Sequence, residues 1–517
     1  MQKSQIGAGS VALSADGRYL LTGEKDGHIR LLDAASGLAL RVFEGHGAEV
    51  GSVSFDARDR FVVSGSADGT TRLWDVATGD ELCSIMQFSG DAEWLVTTPQ
   101  GLFAGSDSAR EKVWYRFQAS PNPVPVDRFF QDFYYPGLLA AIWRGERPMP
   151  AADFSEIVEN KPPTLEIVSP KQGGEVDAGE VTIAVNVTDQ GGGIAGPFVR
   201  LNGQKLKLLP TVEQTNKTTR RVTFTVALGE AQNRIRIEAA SKDGSWESEP
   251  ATIQFTNLKQ LPRPNLYVVA IGVNQYASDS MNLGFARTDA EAVADLFESR
   301  AASLYDKVEV HRLVDEQATA ANIQMLLTDP STGLAGKVRP QDTLVLFVSG
   351  HGFTIGQRYY FLPHEFTKDS ANFEDDVRAE GIPSDVLGDW ISSVPATKRI
   401  VIMDTCNSGA AIEQVGRTRN PFAFDGAIER LGRAQGVFVI AAAPATADAR
   451  EVQDLGHGLL TYTLLAGLKA ADSGPLRQRS ISTDDPAQPV SVNQWFDFAS
   501  ETVPSLYKLY LGTAQDV

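Results

Sequence analysis

The chain has 517 residues, of which 65 are acidic and 47 basic, for a formal net charge of −18. That balance argues against a nucleic-acid backbone or an anionic membrane surface as the main partner. Hydrophobic residues make up 42% of the chain, enough for several cores. Its two cysteines, Cys83 and Cys406, are too few for a disulfide framework and point to a reducing compartment. No apolar run reaches the ~18 residues of a transmembrane helix. The opening MQKSQIGAGSVALSADG has no apolar signal-peptide core, so a cytoplasmic location is expected.

The first part repeats itself. LTGEKDGHIRLLDAASG (Leu21 to Gly37) aligns with VSGSADGTTRLWDVATG (Val63 to Gly79) at a shift of 42. Short alternating segments joined by Asp-Gly turns read as antiparallel strands. The period, the Trp74-Asp75 dipeptide and Gly45-His46 resemble WD-repeat propeller blades. Two blades are clear, and Ala92 to Phe117 is a candidate third. So few blades cannot close a ring, since propellers usually have at least about four. Blades occupy residues 1–118 on this reading, followed by a Pro-rich linker with one helix over 119–160.

Residues 161–258 carry short β-branched, alternating segments such as EVTIAVNVTD and RVTFTVAL, spaced by Gly, Asn and Asp turns. Roughly seven such strands read as an immunoglobulin-like sandwich without a disulfide. No chemistry is evident there, and a spacer or docking role is expected. Residues 262–517 change register again. Apolar strands (LYVVAIG, DTLVLFVSG, RIVIMDTC, GVFVIAAAP) alternate with amphipathic helices (ARTDAEAVADLFESR, TAANIQMLLTD, SDVLGDWISSV, GLLTYTLLAGL). That order predicts a mostly parallel sheet covered on both faces. The fold class is therefore multidomain: propeller-like blades, a β-sandwich and an α/β domain.

Two strands of the α/β domain end in reactive residues: VLFVSGHGFT in His351 and IVIMDTCNSG in Cys406, 55 positions apart (406 − 351). Ligands of open α/β sheets sit at the carboxyl ends of the strands. Neighbouring parallel strands would bring both side chains to one edge. An imidazole there can take the thiol proton and generate the attacking thiolate. A lone cysteine is more often a small buried hydrophobe, and a lone His-Gly more often a turn. The pairing points to chemistry.

These motifs, with YVVAIGVNQY, ARTDAEAVADLF, YYFLP and GHGLLTYTLLAGL, resemble the caspase-like cysteine peptidases, a group that includes caspases, metacaspases and bacterial relatives. Caspases place their histidine about 50 residues before the cysteine. The resemblance implies His351 as general base and Cys406 as nucleophile. It also implies an oxyanion hole from the N–H groups of Gly352 and Cys406. Caspases cut after Asp and have Gln two residues before the cysteine; this chain has Asp404 there. Metacaspases have Asp at that place, a second acid matched here by Asp289, and a serine matched by Ser349, and they cut after Arg or Lys. Two carboxylates suit a guanidinium and repel an Asp side chain.

The Asp-rich segment that accompanies calcium dependence in many metacaspases is missing after Gly352, so no metal or other cofactor is predicted. The acidic NFEDDVRAE reads as a solvated loop, and His457 as a helix-entry turn residue. Ala410 to Gly436 reads as a long loop, with Arg417, Arg419, Arg430 and Arg433 as candidate self-cleavage sites. Expected partners are protein substrates with Arg or Lys at the cut, and a protein bound by the blades or the sandwich. The alternative is a non-enzymatic interaction scaffold with a caspase-like fold.

Overall fold

A computed structural model describes residues 8–88, 93–116, 123–150, 157, 160–356, 358–368, 372–407, 423–442, 451–471, 473–481 and 489–511. The chain divides into two compact units. The first is Met1–Pro162 with Gly191–Gly193 and Ser241–Glu247; the second is the remainder.

In the first unit, Ala8–Leu13, Tyr19–Glu24, Ile29–Asp33 and Ala39–Phe43 form a four-stranded antiparallel meander. The repeat of this pattern, Val50–Phe55, Phe61–Ser66, Thr70–Asp75 and Glu81–Gln87, forms a second meander. The two dipeptides singled out in the sequence meet in this second sheet. Trp74 Nε1 donates to Ser64 Oγ at 2.8 Å, Ser64 Oγ lies 2.8 Å from His46 Nε2, and His46 Nδ1 lies 2.9 Å from Asp68. The chain of bonds satisfies a buried indole, hydroxyl and imidazole together. The candidate third blade builds no sheet of its own. Trp94–Thr97 and Phe103–Gly105 extend the second sheet to six, and Trp114–Tyr115 pairs with Val124–Pro125 of the linker. Their apolar side instead packs on Phe129, Phe130 and Phe133 from the linker.

The second unit opens with two packed sheets. One orders Thr164–Ser169, Glu180–Thr188, Thr219–Ala227 and Thr211–Gln214. The other orders Gly174–Val176, Ala251–Asn257, Gln232–Ala240, Ala195–Leu201 and Gln204–Leu206. Alternate residues, Ile183, Val185 and Val187 against Ile235, Ile237 and Phe255, fill the space between. Nine strands are present where roughly seven were expected; the short Gly174–Val176, Gln204–Leu206 and Thr211–Gln214 carry little apolar alternation. This layer is not a detached spacer. The fully buried Arg399 donates to the Lys205 oxygen at 2.8 Å and to the Val394 oxygen at 2.6 Å. Gln204 bonds the Gly436 oxygen, and Lys207 N donates to the Ser392 oxygen at 3.3 Å.

The α/β part holds a seven-stranded sheet. Val308–Val314, Leu266–Gly272, Thr343–Ile355 (the histidine strand), Lys398–Asn407 (the cysteine strand) and Phe438–Ala441 lie side by side, each pair parallel. The far end of the histidine strand pairs antiparallel with Arg358–Phe361. Helices Ala286–Arg300, Leu459–Gly467 and Val492–Leu511 cover one face. Ala320–Thr328, Ser384–Ser393 and Ala423–Gln435 cover the other. The acidic segment read as a loop is a helix, Phe373–Glu380. The Asn372 side chain caps it by accepting from Glu374 N at 3.2 Å, and Phe373 and Val377 anchor it in the core. No helix among the described residues is long and apolar enough to cross a membrane.

Candidate active site

The histidine and cysteine strands run in register from Thr343 opposite Lys398 to Gly352 opposite Asn407. Ser349 is the Cα partner of Asp404, and His351 that of Cys406. The strand backbone thus brings both sequence motifs to one carboxyl edge of the sheet. The Cys406 side chain and Gly409 lie outside the described residues.

His351 is 5% exposed. Its Nε2 is 2.8 Å from the main-chain oxygen of Met281, and its main-chain N–H donates to the Tyr276 hydroxyl at 2.8 Å. Nε2–H must be the donor to a carbonyl, so Nδ1 is the basic nitrogen of the neutral ring. Burial pushes the imidazole below its ordinary value, and the Met281 bond only partly opposes this. Together the two effects leave the neutral ring favoured, with Nδ1 as its acceptor nitrogen.

Main-chain and side-chain bonds hold the loop that carries Tyr276 and Met281. Buried Asp315 accepts from Asn274 N at 2.9 Å and Gln275 N at 3.0 Å. Asn274 Oδ1 accepts from Arg287 N at 2.8 Å, in the first turn of Ala286–Arg300. Asn282 Oδ1 accepts from Tyr276 N at 2.8 Å. The glycines of SGHG are required by this packing. A Cβ on Gly350, at φ +151°, would lie 2.9 Å from the Tyr276 hydroxyl, and one on Gly352 would lie 2.4 Å from that of Tyr359. The reading of the sequence missed Tyr276 and Met281. The tyrosine of NQY reads only as part of the strand motif, and a main-chain oxygen has no residue signature.

The two acids stand on either side of Gly458. Asp289 is 2% exposed and Asp404 7%. Asp289 accepts from His457 Nδ1 at 2.7 Å and from Gly458 N at 3.2 Å. Asp404 accepts from Thr461 N at 3.0 Å and from the Thr461 hydroxyl. A Cβ on Gly458 would lie 2.5 Å from Asp404 Oδ2. Gly272 lets the helix of Asp289 approach, since a Cβ there would lie 2.4 Å from the Ala286 oxygen. Burial pushes the Asp289 carboxyl up to about 7 and the nearby Asp404 charge adds to it, against the bonds from His457 and Gly458. Ser349 is buried beside Asp404 by strand register. His457 precedes the helix Leu459–Gly467 but lies in the short strand His457–Gly458 and not in a turn; its contact with Asp289 was not foreseen.

Arg417 and Arg419 lie outside the described residues. Arg430 and Arg433 are in the helix Ala423–Gln435, not in a loop. Phe424, Ala427 and Leu431, at helical spacing, bury its apolar face in the core. A peptidase takes its substrate extended, so these two arginines are withdrawn as self-cleavage candidates.

Comparison with known families agrees with this layout. Residues 266–484 match the model of the caspase domain, 163–237 that of a bacterial Ig domain, and 5–33 and 37–75 that of the WD domain, G-beta repeat. The chain therefore joins WD40 repeats, a bacterial Ig domain and a caspase-like domain. No curated protein matches it. Among solved structures, that of U3-55K is 23% identical over 17% of this chain and 33% of the other, with a TM-score of 0.15. The computationally designed Ika4 protein is 27% identical over 19% of this chain and 69% of the other, also with a TM-score of 0.15. The match spans about a third of the first of these.

Proposed function

We propose that the α/β part is a cysteine endopeptidase that cuts proteins after Arg or Lys. The observation that carries this reading is the pair Asp289 and Asp404 on either side of Gly458, at the same sheet edge as His351 and Cys406. His351 Nδ1 would take the Cys406 thiol proton, and the thiolate would attack the scissile carbonyl carbon. The N–H groups of Gly352 and Cys406 would hold the oxyanion. The imidazolium then gives its proton to the leaving amine, and water, deprotonated by His351, releases the acid and regenerates the thiol. Asp289, Asp404 and Ser349 would line the pocket for the basic side chain.

Self-processing, on this reading, falls at Arg417 or Arg419. The WD40 and Ig-like parts would serve recognition of protein partners. The competing scaffold reading is tested directly by a thiol-reactive peptide ending in Arg. Mass spectrometry of the labelled chain is expected to find the adduct on Cys406. Cys83 serves as an internal control, since it is fully buried and burial, with the Glu81 charge, pushes its thiol up to about 12. No peptide-directed labelling, or labelling indifferent to the Arg, would support the scaffold.

A further inference from the structure

We infer that His457 is a specificity-determining residue of the basic pocket: by donating its Nδ1–H to Asp289 it favours the charged form of that carboxylate and fixes it in place for an incoming guanidinium or ammonium. The inference rests on the pocket assignment made above and goes beyond it, because it concerns a residue that touches the acid rather than the substrate.

The geometry is specific. Asp289 projects from the helix Ala286–Arg300 into a site from which water is nearly excluded. Three groups face it from the other elements: the His457 ring and the Gly458 N–H from the short strand His457–Gly458, and the Asp404 carboxyl from the cysteine strand. Asp404 in turn is bonded by Thr461 of the helix Leu459–Gly467. Among the described residues no lysine or arginine pairs with Asp289; its ion-pair partner is His457, at 2.7 Å. Two buried carboxyls this close cannot both stay ionised unaided, and one takes a proton. A protonated Asp289 offers no charge to a basic side chain. Burial and Asp404 push in that direction, and the bonds from His457 and Gly458 push back. The Gly458 bond comes from the main chain and is present whatever residue 457 is. The imidazole is therefore the adjustable element. It keeps 19% of its side chain exposed, so replacing it opens no sealed cavity.

The test uses the full chain and peptides with Arg at the cut, assayed from pH 6 to 9, as wild type, His457→Ala, His457→Phe and Asp289→Asn. His457→Phe keeps a ring of similar size without the donor and carries the test should the alanine variant not fold. For either His457 variant, KM at pH 7 is expected to rise about fivefold, the effect at that pH of one unit's rise in a carboxyl that starts at about 7, with kcat within about twofold of wild type. KM should return towards the wild-type value by pH 9, where Asp289 ionises without help. Asp289→Asn should show a high KM at every pH. A KM that does not change, or that rises equally at all pH values, overturns the inference and leaves His457 a packing residue. Failure of the pocket assignment is recognised separately: wild type would then show no preference for Arg, or Asp289→Asn no change in KM.

Discussion

His351 Nε2 lies 2.8 Å from the main-chain oxygen of Met281. A carbonyl in this place orients the ring and fixes its tautomer without adding a charge. That differs from catalytic triads in which a carboxylate stabilises the imidazolium. Ring position here depends on the loop from Val273 to Phe285, and the loop depends on Asp315 and Asn274.

Tyr276→Phe tests that dependence. The variant leaves the buried His351 N–H without its acceptor, at a cost of about 1–3 kcal/mol. We expect kcat to fall roughly tenfold with KM little changed, as measured by steady-state kinetics on an Arg peptide. A change confined to KM would place Tyr276 in substrate binding instead.

Gly458→Ala should damage the pocket. Its Cβ would come within 2.5 Å of Asp404 Oδ2, so the acid or the strand must shift. KM for Arg peptides is expected to rise by about tenfold or more, and stability to fall by ~1–3 kcal/mol. Unchanged KM in a folded variant would remove Asp404 from the pocket.

Acidity should weaken recognition of basic substrates. Burial, then the Asp404 charge, set the Asp289 carboxyl at about 7. Below that value it is protonated and neutral; above it, anionic. KM for Arg peptides should therefore fall as the pH rises from about 6 to about 8, by about tenfold in all. A flat KM across that range contradicts the role given to Asp289.

Gly436→Ala probes the seam between the sandwich and the α/β sheet. Gly436 has φ +71°, and a Cβ there would lie 1.9 Å from the Gly203 oxygen. The combined strain and clash should cost roughly 2–4 kcal/mol in chemical unfolding. A loss within ~0.5 kcal/mol would mean that the contact is not maintained in solution.

The histidine and cysteine strands were legible because buried parallel strands are written as continuous apolar runs, and Ala286–Arg300 because its apolar residues recur at helical spacing. Phe373–Glu380 was not. Its composition is that of a charged loop, and only Asn372 and the pair Phe373 and Val377 mark it as a helix. Ala423–Gln435 was hidden by its arginines, although Phe424, Ala427 and Leu431 give the period. Both acids were placed by family resemblance. Their closeness to each other across Gly458, and the hold of His457 on one of them, follow from tertiary packing between residues more than a hundred positions apart. No local pattern encodes that distance.

The most direct test of the central claim compares cleavage of two peptides that differ only in Arg or Asp at the cut, by wild type and by Cys406→Ala. The account predicts turnover of the Arg peptide at least about a hundredfold faster than the Asp peptide, since a like charge in a buried acidic site costs several kcal/mol. It predicts no turnover of either by Cys406→Ala of normal thermal stability. Equal rates on the two peptides, a preference for Asp, or wild-type turnover by Cys406→Ala would contradict it.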